Sequence, residues 1–387
     1  MNNIDIEESH DDSVLWDKSL SPSRFRGLVY HKYTLCFVVV LSVIVFVIQL
    51  HILGWVTLKK YQRHNQVSFL HMLDIGQGDS FIIDHYTGHR IVIDTGSNSN
   101  IFMTQLYQDR CCLINYHKTR KTIDLLLLTH DDADHAAALV GLPSDIKIGT
   151  IMTSPFTYSY IEKYMQLKSD QLKLKLKSKS EQKSESEKSK STILPVTNGF
   201  SFNILSDTFE IIFPKNQESV SEQRYQKLGS DKTEKIGSSN YLPTISSRRP
   251  ENDNSIIMKT TLNNKTILFT GDAGFEAELA LFEDGKIKKK IENIDILKVG
   301  HHGSKYSSGR EFLEIAKPQY ALISAGKKNT YGHPHKSVLK RLESAGVKKE
   351  NIFRTDTCGQ IQLTIYKMGA IGHPDCKSIS YDNKGLD

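Results

Sequence analysis

Residues 123–135 read IDLLLLTHDDADH, an apolar run followed at once by a dense group of polar side chains. The run IDLLLL is apolar on both sides, as expected for a strand that is buried in a sheet between helices. Four side chains with metal-ligand chemistry follow it: His130, Asp132, Asp134 and His135. Carboxylates and imidazoles in a loop at the C-terminal end of a strand can hold one or two divalent cations. The alternative interpretation is a solvated polar loop or a helix cap.

Apolar runs elsewhere predict a domain of mixed sheets. Three runs predict an antiparallel meander: Val67–Asp74, Ser80–Asp84 and Arg90–Asp94. Two more predict a later hairpin: Ser255–Leu262 and Lys265–Thr270. Helices are predicted after strand-like runs at Phe275–Phe282, Gly309–Ala316 and Lys336–Ala345. Hairpins followed by alternating strands and helices indicate an α/β (α+β) domain with helices flanking its sheets.

Acidic and imidazole side chains recur where predicted strands end. Asp94 ends a strand in IDTG, and Asp272 ends another in ILFTGD. Histidines follow two further strands: His301 and His302 in HHGS, and His333 and His335 in YGHPH. Each signal alone is weak. Because the ends of neighbouring strands gather at one sheet edge, together they predict one site assembled from distant parts of the sequence.

The motifs taken together resemble a known family. The series DIGQGDS, IDTG, THDDADH, GDA, KVGHHGS and YGHPH is similar to that of the metallo-β-lactamase superfamily. Within it, the chain most resembles the hydrolase domain of ComEC-type DNA-uptake competence proteins. The resemblance covers roughly Val67–Tyr366. It implies a four-layer αββα sandwich with a two-metal site at one edge.

The resemblance also implies roles for individual residues. His130, Asp132, Asp134 and His135 match the first ligand cluster, and Asp272 matches the carboxylate that bridges the two metals. One later histidine should complete the second metal's shell, with three candidates left open: His301, His302 and His333. Asp94 matches the acid that buttresses the ligand loop.

Two positions depart from the general family pattern. The second histidine of HxHxDH is replaced by Asp132, and the usual mid-chain histidine ligand has no counterpart at Asn254–Ser255. Both departures are shared with the competence subgroup. Fewer imidazoles and more carboxylates favour harder ions, so we expect two divalent cations, zinc or manganese, with magnesium also compatible.

The implied activity is that of a metal-dependent phosphodiesterase, a nuclease acting on DNA or another phosphodiester through a hydroxide activated by two metals. Catalytic roles are expected for Asp134, His302 and Asp94, with His302 protonating the leaving oxygen if it is not a ligand. Candidates for substrate contacts are Asn254, Ser255, Ser304, Lys305 and His335. Two alternatives are a hydrolase of a lactone, thioester or β-lactam, and a non-catalytic membrane-tethered binding module.

Residues 34–58 contain no charged side chain and predict one transmembrane helix. At 1.5 Å per residue, this stretch is long enough to cross about 30 Å of hydrocarbon. A cleaved signal peptide fits less well because about thirty residues precede the apolar run, and a buried globular helix would be shorter. The positive charges on the two flanks nearly balance, so they do not orient the span. By resemblance, the catalytic domain would lie outside the cytoplasmic membrane, and a separate membrane protein would supply the channel.

The chain has 387 residues and a net charge of +6. Five cysteines in a chain of this length are not a disulfide framework, and without a CxxC motif no cysteine-based zinc site is indicated. We therefore predict a polar tail (1–33), the span (34–58), the hydrolase domain (66–368) and a C-terminal tail (369–387). Two polar stretches near 166–191 and 215–251 are predicted as insertions. The first is rich in Lys, Ser and Glu and is a solvated segment or, alternatively, a basic arm that contacts nucleic acid.

Overall fold

The computed structural model describes residues 37–53, 66–107, 122–143, 145–157, 161, 191–214, 252, 254–367, 369 and 371–372. The chain divides into two compact units, residues 1–58 and 59–387. In the first unit, residues 37–53 form helix α1, and its apolar side chains are exposed. Within the ranges given above, none of the helices has both the length and the apolar character that a membrane crossing requires. The remainder of the predicted span and the N-terminal tail lie outside these ranges.

The described part of the second unit contains fifteen strands and seven α-helices. The strands are β1 (Ser68–Met72), β2 (Phe81–Asp84), β3 (Arg90–Ile93), β4 (Thr122–Leu128), β5 (Lys147–Thr153), β6 (Thr192–Pro195), β7 (Ser201–Ile204), β8 (Asp207–Phe213), β9 (Ile257–Leu262), β10 (Lys265–Phe269), β11 (Ile296–Lys298), β12 (Tyr320–Ile323), β13 (Ile352–Arg354), β14 (Ile361–Ile365) and β15 (Ile371–Gly372). The helices are α2 (Ser99–Tyr107), α3 (Ala133–Ala136), α4 (Phe275–Phe282), α5 (Gly285–Lys290), α6 (Arg310–Ala316), α7 (Lys336–Ser344) and α8 (Thr355–Cys358).

The strands form two mixed sheets. The first has the order β15-β14-β1-β2-β3-β4-β5-β6, and the second has the order β13-β12-β11-β10-β9-β8-β7. The predicted meander is confirmed, because β1, β2 and β3 pair antiparallel in sequence. The predicted hairpin is confirmed in β9 and β10. Strands β3 to β6 and β10 to β13 pair in parallel.

Three apolar clusters show that the sheets and helices form four layers. One cluster lies between the sheets and joins residues such as Leu70 and Ile267. The other two join the outer face of each sheet to its helices. Strand β4 shows why its run is continuously apolar: Leu127 faces the other sheet while Leu126 and Leu128 face the helices. The predicted αββα sandwich of an α/β domain is therefore confirmed.

One edge of the sandwich collects the loops that carry the predicted site. The loops after β3, β4, β10 and β11 lie there with the turns before β2 and β9, because these two strands run antiparallel to β3 and β10. The two sheets are joined at this edge by a hydrogen bond from the Ile256 amide to the Thr129 carbonyl, 2.8 Å. The topology therefore brings polar residues from six loops to one place.

The two predicted insertions fall between strands that are neighbours. Strands β5 and β6 pair in parallel on either side of the first, and β8 and β9 pair antiparallel on either side of the second. Residues 166–190 and 215–251 themselves lie outside the described residues, as do residues 373–387 of the C-terminal tail.

Candidate metal centre

The loop after β4 turns directly into the short helix α3 and places two histidines side by side. His130 and His135 are fully buried, and their ring centroids are 4.1 Å apart. The backbone of His135 donates to the Asp132 carbonyl at 2.9 Å, which closes the turn. Asp132 and Asp134 are less buried and lie on the same loop. The four predicted ligands therefore share one compact turn.

Asp94 supports this loop from the end of β3. Its carboxylate accepts hydrogen bonds from the amide and hydroxyl of Thr129, 2.8 and 2.7 Å, and lies 2.8 Å from His135 Nδ1. A carboxylate only accepts, so His135 carries its proton on Nδ1 and directs Nε2 toward the cluster. Burial raises the pKa of Asp94, against the opposing effect of His135. Asp94 thus orients the loop and one of its imidazoles.

Asp272 lies at the centre of the donor atoms. Its Oδ1 is 3.2 Å from His135 Nε2, and its Oδ2 is 3.2 Å from His302 Nε2. His301 Nε2 is 3.7 Å from the same Oδ2. Asp272 therefore contacts imidazoles from two separate loops, the geometry expected of a carboxylate between two cations.

The three late histidines occupy different positions. His302 is buried, and its Nε2 lies 3.3 Å from Asp134 Oδ2 and 3.4 Å from His135 Nε2. His301 is half-buried beside Asp272. His333 is also half-buried, and its ring packs against those of His301 and His302 at 5.6 and 6.2 Å. The geometry favours His302 as a ligand, and its alternative role as proton donor to a leaving group stays a prediction.

Asp79 and Lys298 also belong to the centre, although the sequence did not identify them as site residues. Asp79 Oδ1 is 3.2 Å from His302 Nδ1, and its other oxygen forms an ion pair with the fully buried Lys298 ammonium. Lys298 also donates to the Gly271 carbonyl at 2.5 Å and lies 3.6 Å from Asp272 Oδ1. Burial opposes ionisation of Asp79, but Lys298 and His302 lower its pKa. The only available signal was their presence in DIGQGDS and KVGHHGS.

The predicted substrate contacts come from two regions, the turn before β9 and the loops that follow β11 and β12. The Ser255 hydroxyl accepts from the Asp272 amide at 3.1 Å and lies 3.4 Å from His130 Nδ1, so it links two ligand loops. Ser304 is buried, and its hydroxyl accepts from the Tyr306 amide at 3.4 Å within its own loop. Lys305 is exposed, and its amide donates to His335 Nδ1 at 3.2 Å. Asn254 is half-buried in the turn before β9.

The carboxylates and imidazoles of the centre shift each other's pKa in opposite directions. Burial opposes charge on all of them, but His302 and His135 hold the pKa of Asp272 well below its usual range. Asp272 in turn raises the pKa of both His135 and His302 well above the ordinary value. The pKa of Asp134 is lowered against burial by His302 and His135. Burial instead lowers the pKa of His130 well below its ordinary value.

The donor set fits divalent cations. Single ligand atoms of Asp79, His135, Asp272 and His302 lie within 4.8 Å of one another. Ligands about 2.1 Å from one tetrahedral ion lie roughly 3.4 Å apart, close to the nitrogen and oxygen separations seen here. His130 Nε2 is buried without a hydrogen-bond partner among the described residues and is 3.8 Å from Asp132 Oδ2. His135, Asp272, His302 and Asp134 offer donors for one ion, with Asp79 behind the His302 ring at Nδ1, and His130, Asp132 and Asp272 offer donors for a second.

Comparisons with known proteins find relatives and solved structures that are similar to this chain. The chain is 27% identical to ComE operon protein 3 of Bacillus subtilis over 75% of the chain and 32% of that protein. It is 30% identical to competence protein ComA of Neisseria gonorrhoeae over 41% of the chain and 21% of that protein. The chain thus spans a third or less of the length of these relatives. Similar solved structures include the metallo-β-lactamase fold protein YhfI of B. subtilis, with 12% identity, a TM-score of 0.42 and coverage of 75% of this chain and 96% of that chain.

A family model confirms the resemblance that the motifs indicated. The model of the metallo-β-lactamase superfamily matches residues 73–217 and 252–327. These residues make up more than half of the chain and contain all the donor residues of the centre. The chain therefore belongs to the metallo-β-lactamase superfamily.

Proposed function

We propose that this protein is a metal-dependent phosphodiesterase that cleaves DNA. The observation that carries the proposal is Asp272, a buried carboxylate between imidazoles of two loops in a centre unusually rich in carboxylates. An oxygen-rich donor set suits manganese or magnesium as well as zinc, and such ions stabilise the charge on a phosphodiester. The resemblance of the motifs to DNA-uptake competence proteins, together with the similarity to competence protein ComA, supports this substrate over a lactone, thioester or β-lactam.

In this activity, different residues of the chain would bind the metals, position the ligands and contact the substrate. His130, Asp132, Asp134, His135, Asp272 and His302 would hold two divalent cations, which supply Lewis acidity and a nucleophile from water. Asp94 and Asp79 hold the imidazoles of His135 and His302, respectively, through their Nδ1 atoms. His333, whose ring is half-buried beside those of His301 and His302, is the residue proposed to contact a phosphate or leaving oxygen. Lys305 would bind a neighbouring phosphate.

The test is a nuclease assay with the purified full chain in detergent. Labelled single- and double-stranded DNA would be incubated with Mn²⁺, Mg²⁺ or Zn²⁺, and with EDTA as the metal-free control. We expect cleavage that requires metal and that falls by at least roughly 100-fold in Asp272→Asn, since the substitution removes the central charge. Asp295→Asn is the matched control, because Asp295 precedes β11 at the opposite edge and pairs with Lys265 on the surface.

The outcomes separate the proposal from its rivals. Stoichiometric metal without cleavage of any DNA would contradict it. Hydrolysis of a lactone, thioester or β-lactam by the same preparation would favour a small-molecule hydrolase. Equal losses in Asp272→Asn and Asp295→Asn would show that the loss reflects folding rather than the centre.

We also propose that the apolar segment 34–58 anchors the chain in a lipid bilayer. The segment lacks charge, and the helical residues 37–53 expose apolar side chains such as Phe37 and Phe46. The test is flotation of the full chain with lipid vesicles, compared with a variant carrying Asp at Val40 and Val47. We expect the full chain to float and the variant to stay in the dense fraction. Recovery of both in that fraction would contradict the anchor.

The hydrolase domain is proposed to lie outside the cytoplasmic membrane, where a separate channel protein would receive the processed strand. Cys358 forms a disulfide, a bond that persists in oxidising compartments. Protease added to intact cells should therefore degrade the domain. Protection in intact cells with degradation after lysis would place the domain inside.

A further inference from the structure

A row of aromatic rings leads from the protein surface to the candidate metal centre. Tyr331 is 61% exposed, and its ring stacks on that of His333 with centroids 5.6 Å apart and an angle of 23° between the planes. The His333 ring is in turn 5.6 Å from His301 and 6.2 Å from His302. We call these four residues the ring row. Its outer member offers an open aromatic face within two rings of the donor cluster.

The loop that carries Tyr331 is held in place by one side chain. Asn329 Nδ2 donates to the carbonyls of Gly326 and His333, each at 2.7 Å, and its Oδ1 accepts from the His333 amide at 2.9 Å. These bonds fix the loop on both sides of Tyr331. An exposed ring on an anchored loop is preorganised for a ligand, so binding requires little further ordering.

Lys305 is linked through its backbone to a histidine beside the ring row, and its ammonium lies over another exposed aromatic ring. The His335 ring is 5.1 Å from that of His333, and its Nδ1 accepts from the Lys305 amide. The Lys305 ammonium lies 5.0 Å from the ring centroid of Tyr306, which is itself 43% exposed. Aromatic faces beside a cation are the elements with which proteins bind single-stranded nucleic acids.

We infer that Tyr331 is a stacking platform for an unpaired nucleobase and that the preferred substrate is a single strand. This inference rests on the proposed phosphodiesterase function and names its substrate class. The base would lie on Tyr331, the adjoining phosphate would reach the centre past His333, and Lys305 would contact a flanking phosphate. A base within a duplex has both faces covered by its neighbours, so it cannot use the platform. Stacking also tolerates every base, which predicts little sequence preference.

The test compares Tyr331→Ala and Tyr331→Phe with the full-length wild type. Binding of a fluorescein-labelled single-stranded 12-mer is followed by anisotropy in EDTA, where nothing is cleaved, and kcat/KM is then measured with Mn²⁺. We expect Tyr331→Ala to weaken binding roughly tenfold and Tyr331→Phe to retain it, because the ring and not the hydroxyl stacks. The loss should shrink on a 12-mer of abasic residues. Tyr366→Ala is the matched control, since Tyr366 is also exposed but follows β14 at the edge away from the site.

Each other outcome has a distinct meaning. Wild-type binding by Tyr331→Ala, or an equal loss on abasic and ordinary strands, would overturn the platform. Equal cleavage of duplex and single strand by the wild type would overturn the substrate preference. Absence of cleavage in a protein that holds metal would contradict the proposed function, while the binding assay in EDTA would still decide whether Tyr331 stacks a base.

Discussion

Two of the three buried histidines at the centre, His135 and His302, each have one ring nitrogen close to a carboxylate and the other directed at Asp272. His135 Nδ1 lies 2.8 Å from Asp94, and His302 Nδ1 lies 3.2 Å from Asp79. His302 Nδ1 is also 3.0 Å from the Ser324 carbonyl. Partners of this kind fix the tautomer of a metal-binding imidazole and raise its basicity. Aspartates at two different strand ends therefore orient the two imidazoles in the same way.

These pairs predict that metal binding releases protons. The pKa of His135 and of His302 is raised well above 6.5 in the metal-free protein, so both stay protonated near neutral pH. A cation binds only the neutral imidazole. We expect the apparent affinity for Mn²⁺ to rise with pH until these raised pKa values are passed. Calorimetry at pH 7 in two buffers of different ionisation enthalpy measures the released protons, and identical heats in both buffers would contradict the prediction.

The protonated His135 and His302 also stabilise the folded metal-free protein, and this stabilisation falls as pH rises, whereas metal affinity increases. Because both folded-state pKa values lie above the unfolded value, this contribution is complete below about pH 6.5 and disappears as pH rises through the folded values. The carboxylates Asp272 and Asp134 have lowered pKa values, so their contribution is lost only in acid. The metal-free centre is thus stabilised by charge pairing between these two limits.

Lys298 gives the sharpest stability prediction at the residue scale. Lys298→Met removes the buried ammonium and leaves Asp79 and Asp272 without it, which should lower the free energy of unfolding by about 3–5 kcal/mol in EDTA. Urea denaturation measures the change. Lys265→Met is the matched control, because the Lys265–Asp295 pair is partly exposed and should contribute about 0–1 kcal/mol. Equal effects would show that the buried pair has no special role.

The sequence predicted most residues of the centre but not this pair, for a topological reason. The predicted metal ligands all follow strands, whereas Asp79 precedes β2. Antiparallel pairing of β2 with β3 places the start of β2 beside the end of β3. Lys298 is the last residue of β11, where a charged side chain normally reaches solvent. Only the packing of both sheets shows that these two residues meet.

At the scale of elements, the turn between β1 and β2 fits closely against the ligand loop. The Asp79 amide donates to the Asp134 carbonyl at 3.2 Å. A Cβ added at Gly78, where φ is +129°, would lie 2.1 Å from that carbonyl oxygen. This contact couples the position of Asp79 to that of Asp134. A glycine is therefore required here by both backbone conformation and space.

Gly78→Ala should lower both the free energy of unfolding and the metal affinity, since the ligand loop must move away. Gly76→Ala is the matched control: its φ is +80°, and no atom lies within 4 Å of an added Cβ. That change should cost only the strain of a left-handed residue, about 1–2 kcal/mol, and leave metal stoichiometry intact. Calorimetric titration and urea denaturation of both variants check this. Equal behaviour of the two variants would rule out coupling through the turn.

Elements and their order were predictable to different degrees. Helix α4 occupies the predicted Phe275–Phe282, and the predicted helices at α6 and α7 differ by one residue at one end. Local apolar patterns determine these elements. The pairing of β1 with β14 joins residues almost 300 positions apart in sequence, and no local pattern signals it. Motif resemblance, rather than periodicity, supplied the order of the layers.

At the scale of the molecule, the two polar stretches connect neighbouring strands and leave the sheets continuous. Strand β5 ends at Thr153 and β6 begins at Thr192, and the two strands are adjacent and parallel. A parallel crossover needs a dozen or more residues, and deletion of residues 167–189 would leave about 15. The Lys-, Ser- and Glu-rich composition of residues 167–189 favours a solvated segment over a part of a packed layer. The hydrolase unit should therefore tolerate their loss.

We predict that deletion of residues 167–189 changes the free energy of unfolding by less than about 1 kcal/mol, since shortening a loop alters its closure entropy only slowly. If the segment is solvated, the slope of log Kd for single-stranded DNA against log salt should also stay unchanged. Lys305→Ala provides the positive control, because loss of one phosphate contact should reduce that slope by roughly 0.7. A larger reduction on deletion would instead identify the Lys-rich segment as a basic arm that contacts several phosphates.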